Sequence, residues 1–188
     1  MPYVHLRTHT EYSIVDGALR VEEMVPAAAR DGQGALAISD FNNLFATVRF
    51  YKDALAAGVK PLIGCDVLVG SARNPGQQTR LLLLVQSHTG YLHLCDLLSR
   101  AWLGNQQRGR AVVQWEWLEG GLAEGLICLS GAQDGAIGQA LLQGDTATAL
   151  ELARQHAAVF DGRFYIELQR GGHPASEAHV QAAVPLAA

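Results

Sequence analysis

The sequence predicts an α/β domain with a mainly parallel sheet, either open or closed into a barrel. Apolar runs of strand length alternate with amphipathic segments of helix length, which is the pattern of α/β folds. Most of the strand-like runs are continuously apolar, as is typical of strands covered on both faces. The 188 residues are 49% apolar and 17% charged, so the chain can bury a core and is not expected to be disordered.

The predicted strands are short apolar runs separated by helix-length segments. They are Tyr3–Arg7, Ala35–Ser39, Pro61–Val69, Arg80–Val85, Leu126–Ser130 and Arg163–Leu168. Two segments rich in Gly, Asn, Gln and Arg are predicted as loops, Gly70–Gln78 and Gly104–Arg110.

The predicted helices are Arg20–Arg30, Asn43–Ala57, Thr89–Leu103, Asp145–Phe160 and Ala175–Ala188. In the second of these, apolar residues recur at the spacing of one helix face, at Leu44, Val48, Tyr51 and Leu55. Gly58 then stands where a C-terminal cap is expected, and Asp145 or Thr146 is the expected N-cap of the fourth helix. Pro26 lies inside the first helix, which predicts a late start or a bend there.

The net charge of the chain is unlike that of domains that bind nucleic acid tightly by themselves. The net charge is −4 and the sequence pI is about 5.9. Beyond Arg108 and Arg110 there is no basic cluster, so we expect weak, strongly salt-dependent binding of duplex DNA.

The cysteines and the apolar runs bear on the cellular compartment. Cys65, Cys95 and Cys128 show no CxxC spacing and are expected to be thiols in a reducing compartment. The N-terminus lacks a signal-peptide pattern, and the longest apolar run, Leu81–Val85, is too short to span a bilayer. A cytoplasmic location without membrane association is therefore expected.

The densest group of polar residues lies near the N-terminus. His5, Arg7 and His9 would share one face of a strand because residues two apart point the same way, and Asp16 follows. Parallel α/β folds keep their active sites at strand C-termini. One or two histidines with satisfied hydrogen bonds and a turn aspartate would explain the same residues structurally, and both interpretations stay open.

Three further polar residues follow predicted strands or lie in them. Asp66 lies in an apolar strand, where a lone carboxylate is costly without a partner. Asp40 directly follows the second predicted strand, where it could instead cap a helix. Arg80 opens an apolar run, where it could simply be an exposed strand end.

Together these segments resemble the PHP family, named for polymerases and histidinol phosphatases. His5–Gly17 resembles its first motif. The similarity continues through Ala37-Ile38-Ser39-Asp40, Asn43-Leu44-Phe45, Phe50-Tyr51, Gly58-Val59-Lys60-Pro61, Thr89-Gly90-Tyr91, Gly125-Leu126-Ile127 and Phe164-Tyr165-Ile166-Glu167-Leu168. This order resembles the N-terminal PHP domains of bacterial replicative DNA polymerase III alpha subunits, of the proteobacterial type.

The resemblance implies a fold and a ligand set. The fold is a distorted seven-stranded β/α barrel, which would be incomplete at its C-terminal end in this chain. Active members hold three metal ions at one mouth of the barrel for phosphoester hydrolysis. Their ligand positions correspond to residues Arg7, His9, Asp16, Phe41, Asp66, Arg80 and Gly171, with a final Asp-x-His pair beyond residue 188.

The chain departs from that ligand set at four positions. Histidines are implied where Arg7, Phe41, Arg80 and Gly171 stand, whereas His9, Asp16 and Asp66 are kept and Asp40 is expected nearby. A phenylalanine cannot ligate a metal and an arginine does not deprotonate, so neither a bound metal nor a catalytic residue is expected. We expect Arg7 and Arg80 to replace the metals by forming ion pairs with Asp16, Asp66 or both. His9 would be a hydrogen-bonding bystander, and Phe41 would fill part of the cavity.

The resemblance also implies a function. Residues 1–188 would be a single PHP domain at the N-terminus of a much longer DNA-directed DNA polymerase, a nucleotidyltransferase that uses Mg²⁺ outside this chain. The domain would act in replication as a structural and partner-binding platform for the proofreading exonuclease and other replisome subunits, with DNA bound through the parent polymerase.

Two alternatives remain: an active metal-dependent phosphoesterase or pyrophosphatase, and a stand-alone α/β module. In the isolated chain, a barrel without its last strand would leave Tyr3–Arg7 with an unpaired edge. The isolated chain is therefore expected to self-associate.

Overall fold

The computed structural model describes residues 3–14 and 16–187. Its helices are α1 (Val21–Arg30), α2 (Thr47–Ala56), α3 (His88–Gly104), α4 (Trp115–Trp117), α5 (Ala136–Leu142), α6 (Thr146–Val159) and α7 (Ser176–Ala187). Short 3-10 turns lie at Glu11–Ser13 and Ala132–Asp134, and a π turn, Leu118–Leu122, continues α4. Within the described ranges, no helix is long and apolar enough to cross a membrane.

The strands form one mixed sheet and one small hairpin. They are β1 (Ala35–Ile38), β2 (Lys60–Ser71), β3 (Asn74–Val85), β4 (Gln106–Gln107), β5 (Arg110–Ala111), β6 (Val113–Gln114), β7 (Leu126–Leu129) and β8 (Phe164–Tyr165). The six-stranded sheet has the order β1-β2-β3-β7-β8, with β6 also paired to β2, and β4 pairs with β5 alone. The α/β class is therefore confirmed.

The prediction of a mainly parallel sheet is wrong at the centre of the fold. β1 pairs with β2, β6 with β2 and β7 with β8 in parallel, but β2–β3 and β3–β7 are antiparallel. The predicted loop Gly70–Gln78 is in fact the tip of a long hairpin, with only Ala72 and Arg73 between the two strands. So short a connection can only join antiparallel strands.

The predicted strand Tyr3–Arg7 is also wrong, because residues 3–9 form no strand. The segment runs beside β1, where the carbonyls of His5 and Thr8 accept hydrogen bonds from the amides of Ala37 and Ser39 at 2.9 Å each. Two backbone bonds hold it there without a continuous ladder. Its charged side chains make the other attachments described below.

Helix α2 buries a different face from the one its sequence indicates. Val48, Tyr51 and Leu55 are exposed, whereas Phe50 and Ala54 on the other side are fully buried. The buried side packs against α1 and β1 in a cluster with Val21, Met24, Val25, Leu36 and Ile38. Packing of Phe50 and Ala54 against α1 and β1 therefore leaves the stripe of Val48, Tyr51 and Leu55 outside.

The ends of the other elements follow the sequence with small shifts. α1 is unbroken through Pro26, and Asp145 caps α6 by accepting from the amide of Thr148 at 3.0 Å. Gly58 follows α2 with φ +72°, as a C-terminal cap requires. The predicted strand Arg163–Leu168 is shortened to β8, and the predicted loop Gly104–Arg110 contains most of the β4–β5 hairpin.

The two faces of the β2–β3 hairpin have different surroundings. Odd-numbered residues, including Cys65, Val67, Leu81 and Leu83, pack with α3 in the largest core cluster. On the opposite face lie Leu82 and Leu84, which pack with Ala37 of β1. Because side chains alternate along a strand, Asp66 and Arg80 share this second face.

Candidate functional site

The site is built on the second face of the β2–β3 hairpin. Asp66 is opposite Leu82 in the register, and Leu68 is opposite Arg80. Asp66 and Arg80 are therefore diagonal neighbours on one face, within reach of a long side chain. Arg80 Nη1 donates to Asp66 Oδ2 at 3.1 Å.

The N-terminal segment brings a second arginine to the same carboxylate. Arg7 Nη1 donates to Asp66 Oδ2, so one fully buried oxygen receives two guanidinium groups. Arg7 also donates to Glu167, from Nε to Oε1 at 2.7 Å and from Nη2 to Oε2 at 2.9 Å. This paired geometry matches the fork of the guanidinium to a carboxylate, which is its strongest mode of binding.

Arg80 links the buried carboxylate to a more exposed one. Its Nη1 and Nη2 atoms both lie 3.3 Å from Asp16 Oδ2. The Arg80 guanidinium carbon also lies 4.6 Å from the centroid of the Phe41 ring, in the position of a cation–π contact. The Phe41 ring therefore packs against the Arg80 guanidinium and takes no part in the ion pairs.

His9 lies between the two aspartates. Its Nδ1 is 3.1 Å from Asp16 Oδ1, and its Nε2 is 3.2 Å from Asp66 Oδ2, without the geometry of a hydrogen bond at that second contact. Burial lowers the pKa of His9, but the negative charges of Asp66 and Asp16 outweigh burial and leave the pKa raised. The carboxylates thus make the His9 imidazole easier to protonate than a free imidazole.

Asp40 does not join these residues. Its Oδ1 accepts from the Thr10 amide at 2.6 Å and from the Ser13 hydroxyl at 2.7 Å, and its Oδ2 accepts from the Thr10 hydroxyl at 2.8 Å. It caps no helix either, because α2 begins only at Thr47. The carboxylate anchors the turn that carries His9 to Asp16. Gly171 is likewise outside the cluster, exposed and with open space around its Cα.

Glu167 is the member of the site that the sequence did not single out. It lies just beyond β8, is 8% exposed, and its amide donates to the Ser130 hydroxyl at 3.0 Å. The available signal was a lone carboxylate in the apolar run Phe164–Leu168, the same signal that singled out Asp66. Such a residue needs a cationic partner, and the partner is Arg7.

The residues present do not fit the metal centre of the active family members. Guanidinium nitrogens lie within 3.3 Å of both Asp16 and Asp66, the two kept carboxylates. A permanent cation in that place has no lone pair to offer and repels a divalent ion. In the part of the chain that the structure describes, no three His, Cys, Asp or Glu side chains are grouped so that they could hold a metal. The expected ion pairs of Arg7 and Arg80 with the aspartates are confirmed.

This arrangement on a mixed α/β sheet can be compared with known proteins. A family model described as "PHP domain" matches residues 5–171. The chain belongs to the PHP domain family. The PHP match begins at the N-terminal segment that carries Arg7 and His9 and extends past Glu167, so it includes every residue of the ion-pair cluster.

Curated relatives with this PHP domain are much longer proteins. The chain is 44% identical over 185 residues to the DNA polymerase III subunit alpha of Pseudomonas aeruginosa, and 42% over 187 residues to that of Neisseria meningitidis serogroup A. It is 38% identical over 185 residues to that of Escherichia coli strain K12. In each case 98% of this chain is covered, and it spans 16% of the relative's length.

Two solved structures have weaker likenesses to this PHP domain. An amidohydrolase from Chromobacterium violaceum gives a TM-score of 0.43 at 22% identity, covering 54% of this chain and 34% of that one. A protein from Bifidobacterium adolescentis described as a metal-dependent phosphoesterase gives 0.39 at 14% identity, covering 95% and 63%. Both TM-scores are below 0.5, so neither likeness bears on function.

Proposed function

We propose that this chain is the N-terminal PHP domain of a bacterial DNA polymerase III alpha subunit and serves replication as a structural and partner-binding platform. The observation that carries the proposal is the pair of guanidinium groups, from Arg7 and Arg80, on the buried oxygen of Asp66. They neutralise the carboxylate that a metal would otherwise neutralise. Identities of 37–44% to DNA polymerase III alpha subunits support the replication role.

In this proposal the residues divide into two groups. His9, Asp16 and Asp66 are what is left of the family's ligand set, and Arg7, Phe41, Arg80 and Gly171 stand where ligands have been lost. No residue of this chain is catalytic. Residues 1–188 act as one domain of a cytoplasmic nucleotidyltransferase whose Mg²⁺ and nucleotide sites lie in other parts of the polypeptide.

The partner in this proposal is the proofreading exonuclease subunit of the same replisome. The test is isothermal titration of the chain with that subunit, both taken from one genome. We expect a saturable complex with a chain that is folded by circular dichroism. A folded chain that shows no heat of binding and does not co-elute with the exonuclease would contradict the platform role.

The alternative, a working phosphoesterase, is not favoured because Arg7 and Arg80 occupy the space between the carboxylates. It is tested by assaying hydrolysis of a phosphodiester and of pyrophosphate with Mn²⁺ or Zn²⁺ added. We expect no turnover above buffer. Turnover that Asp66→Asn abolishes, while the variant stays folded, would replace the proposal by the alternative.

A further inference from the structure

A second group of arginines lies on the β4–β5 hairpin, away from the ion-pair cluster. In the described part of the chain, every arginine side chain except four makes an ion pair or a hydrogen bond. The four exceptions are Arg30, Arg108, Arg110 and Arg154, all exposed. Arg108 and Arg110 are therefore two free cations on a single turn, in a chain where acidic residues outnumber Lys and Arg by 18 to 14.

Arg108 and Arg110 lie on a tight turn with an unusual backbone conformation. Arg108 has φ +52° and Gly109 has φ +77°. Two successive positive φ values define the type I′ turn that joins a tight hairpin, and Gln107 pairs with Arg110 across it. A non-glycine residue at the first turn position is uncommon, so the hairpin holds Arg108 on its tip at a conformational cost.

The two arginines border one cavity of about 360 Å³ between the hairpin and the start of β3. Its lining is Gly76, Gln78, Gln107, Arg108 and Arg110, with no carboxylate among them. Gln78 Nε2 donates to Gln107 Oε1 at 2.7 Å, which leaves the Gln107 amide nitrogen as a further donor without a partner in the described residues. The lining therefore offers two guanidinium groups and an amide N–H, and nothing that neutralises them.

We propose that this cavity binds a phosphate group of a DNA strand. Guanidinium forks bind phosphate oxygens in pairs, and amide donors complete such sites. Gly76, which has φ +96° and no side chain, leaves the wall of the cavity open to a strand backbone. The phosphate site stands on this hairpin and does not depend on the Arg7 cluster, whereas the choice of DNA as its source rests on the proposed replication role.

The test measures binding of the chain to a fluorescent single-stranded oligonucleotide over a range of salt concentrations. Each phosphate neutralised on a single strand contributes about 0.7 to the slope of log K against log salt. Because the cavity would hold one phosphate, Arg108→Gln/Arg110→Gln is expected to reduce that slope by about 0.7. On titration with oligonucleotide, the amide resonances of Arg108 to Arg110 should shift in the unmodified chain.

The matched control is Arg30→Gln/Arg154→Gln, which changes the net charge by the same amount at the other two free arginines. It should leave the slope and the amide shifts unchanged. Equal losses in the two double variants would overturn the proposal, because binding would then follow net charge alone. Saturation of the cavity by inorganic phosphate without any binding of the oligonucleotide would overturn the assignment to DNA. Circular dichroism of all variants excludes unfolding as the cause.

Discussion

The guanidinium of Arg7 holds both carboxylate oxygens of Glu167, at 2.7 and 2.9 Å, across 160 residues of sequence. The same guanidinium contacts Asp66 in the middle of the sheet. Arg7 therefore ties the N-terminal segment to the hairpin and to the segment that follows β8. Backbone pairing is sparse in the N-terminal segment and around β8, so the Arg7 side chain makes the attachment there that a ladder of hydrogen bonds makes elsewhere.

Replacing Arg7 by leucine should cost about 3 kcal/mol of unfolding free energy. The substitution leaves Glu167 buried without a cation and Asp66 with Arg80 as its remaining guanidinium partner, and breaking a buried pair from one side costs about 3–5 kcal/mol. Because Arg7 is itself 20% exposed, we expect the lower end of that range. Urea denaturation followed by circular dichroism measures the change.

The control for Arg7 is Arg100→Leu, which breaks the exposed ion pair with Asp96. Such pairs contribute about 0.3–0.5 kcal/mol. The variant Arg7→Leu/Glu167→Leu should be more stable than Arg7→Leu alone, since it removes the buried carboxylate that has lost its cation. Equal losses in Arg7→Leu and Arg100→Leu would show that the cluster does not stabilise the fold.

Placing histidines at Arg7, Phe41 and Arg80, where the family's ligands are implied, should create metal affinity. In Arg7→His/Phe41→His/Arg80→His, neutral imidazoles replace the two cations next to Asp16 and Asp66 and add ligand nitrogens. We expect Zn²⁺ to raise the thermal midpoint of this variant and to give a binding isotherm, and to do neither with the unmodified chain. The control Arg7→Gln/Phe41→Gln/Arg80→Gln removes the same charges without adding imidazole. A gain of affinity in the glutamine variant would mean that charge removal alone is responsible.

Acid should weaken the fold through His156. Burial against Trp115 and Phe164 lowers its pKa, although its hydrogen bond to the Leu152 carbonyl opposes the shift. The unfolded histidine takes a proton near pH 6.5, and the folded one only at lower pH. The unfolding free energy should therefore fall as the pH drops through 6.5, by at most about 1.4 kcal/mol per pH unit for this one group.

His156→Gln should make the dependence of stability on pH shallower below pH 6.5. His88→Gln, at an exposed position, serves as the matched control for the substitution itself. Denaturant midpoints measured between pH 7 and pH 5 give the comparison. An unchanged slope in His156→Gln would show that its burial does not oppose protonation.

Gly131 should resist substitution because of its approach to Arg80. A Cβ at Gly131 would lie 2.2 Å from the carbonyl oxygen of Arg80, and the residue has φ +79°. Gly144 has nearly the same φ, +78°, with open space around it. Gly144→Ala thus measures the conformational cost alone, about 1–2 kcal/mol.

Gly131→Ala should cost about 1–3 kcal/mol more than Gly144→Ala, as is usual when backbone is forced apart. Thermal unfolding of the two variants decides this. If the two alanines prove equally costly, the strand that bears Arg80 can move without penalty.

The isolated chain should self-associate at high concentration. In the described residues, β1 and β8 end the six-stranded sheet, and the segment beside β1 makes only two backbone bonds to the residues 35–39. Exposed strand edges pair readily with other chains. Sedimentation velocity over a wide concentration range measures this, and a single monomeric species throughout would contradict it.

Much of the element content was predictable because it depends on local pattern. α3 and α6 agree with their predicted helices to within one residue at each end, since a Ser or Asp cap and one apolar face specify each helix. The direction of β3 was not predictable in the same way. Its continuous apolar run is equally compatible with parallel and antiparallel pairing, and the short turn at Ala72–Arg73 was hidden among residues typical of a loop.

The site could be predicted in part. Asp66 was identifiable because an isolated charge in an apolar strand needs a partner, and the resemblance gave Arg7 and Arg80 as its candidates. Asp40 was a further candidate because it directly follows a predicted strand, yet hydroxyl and amide donors from Thr10 and Ser13 satisfy it. Which donor a buried carboxylate finds depends on tertiary placement, which residue spacing does not encode.

The β2–β3 hairpin has a consequence for the order in which the molecule assembles during synthesis. Asp66 and Arg80 are separated by 14 residues, so their contact closes a short loop and can form early. Arg7 can reach Asp66 at that stage, but Glu167 has not yet left the ribosome. The nascent chain therefore passes through a form in which the first arginine has only one of its two acidic partners, and the last contact of the cluster waits for β8 to emerge.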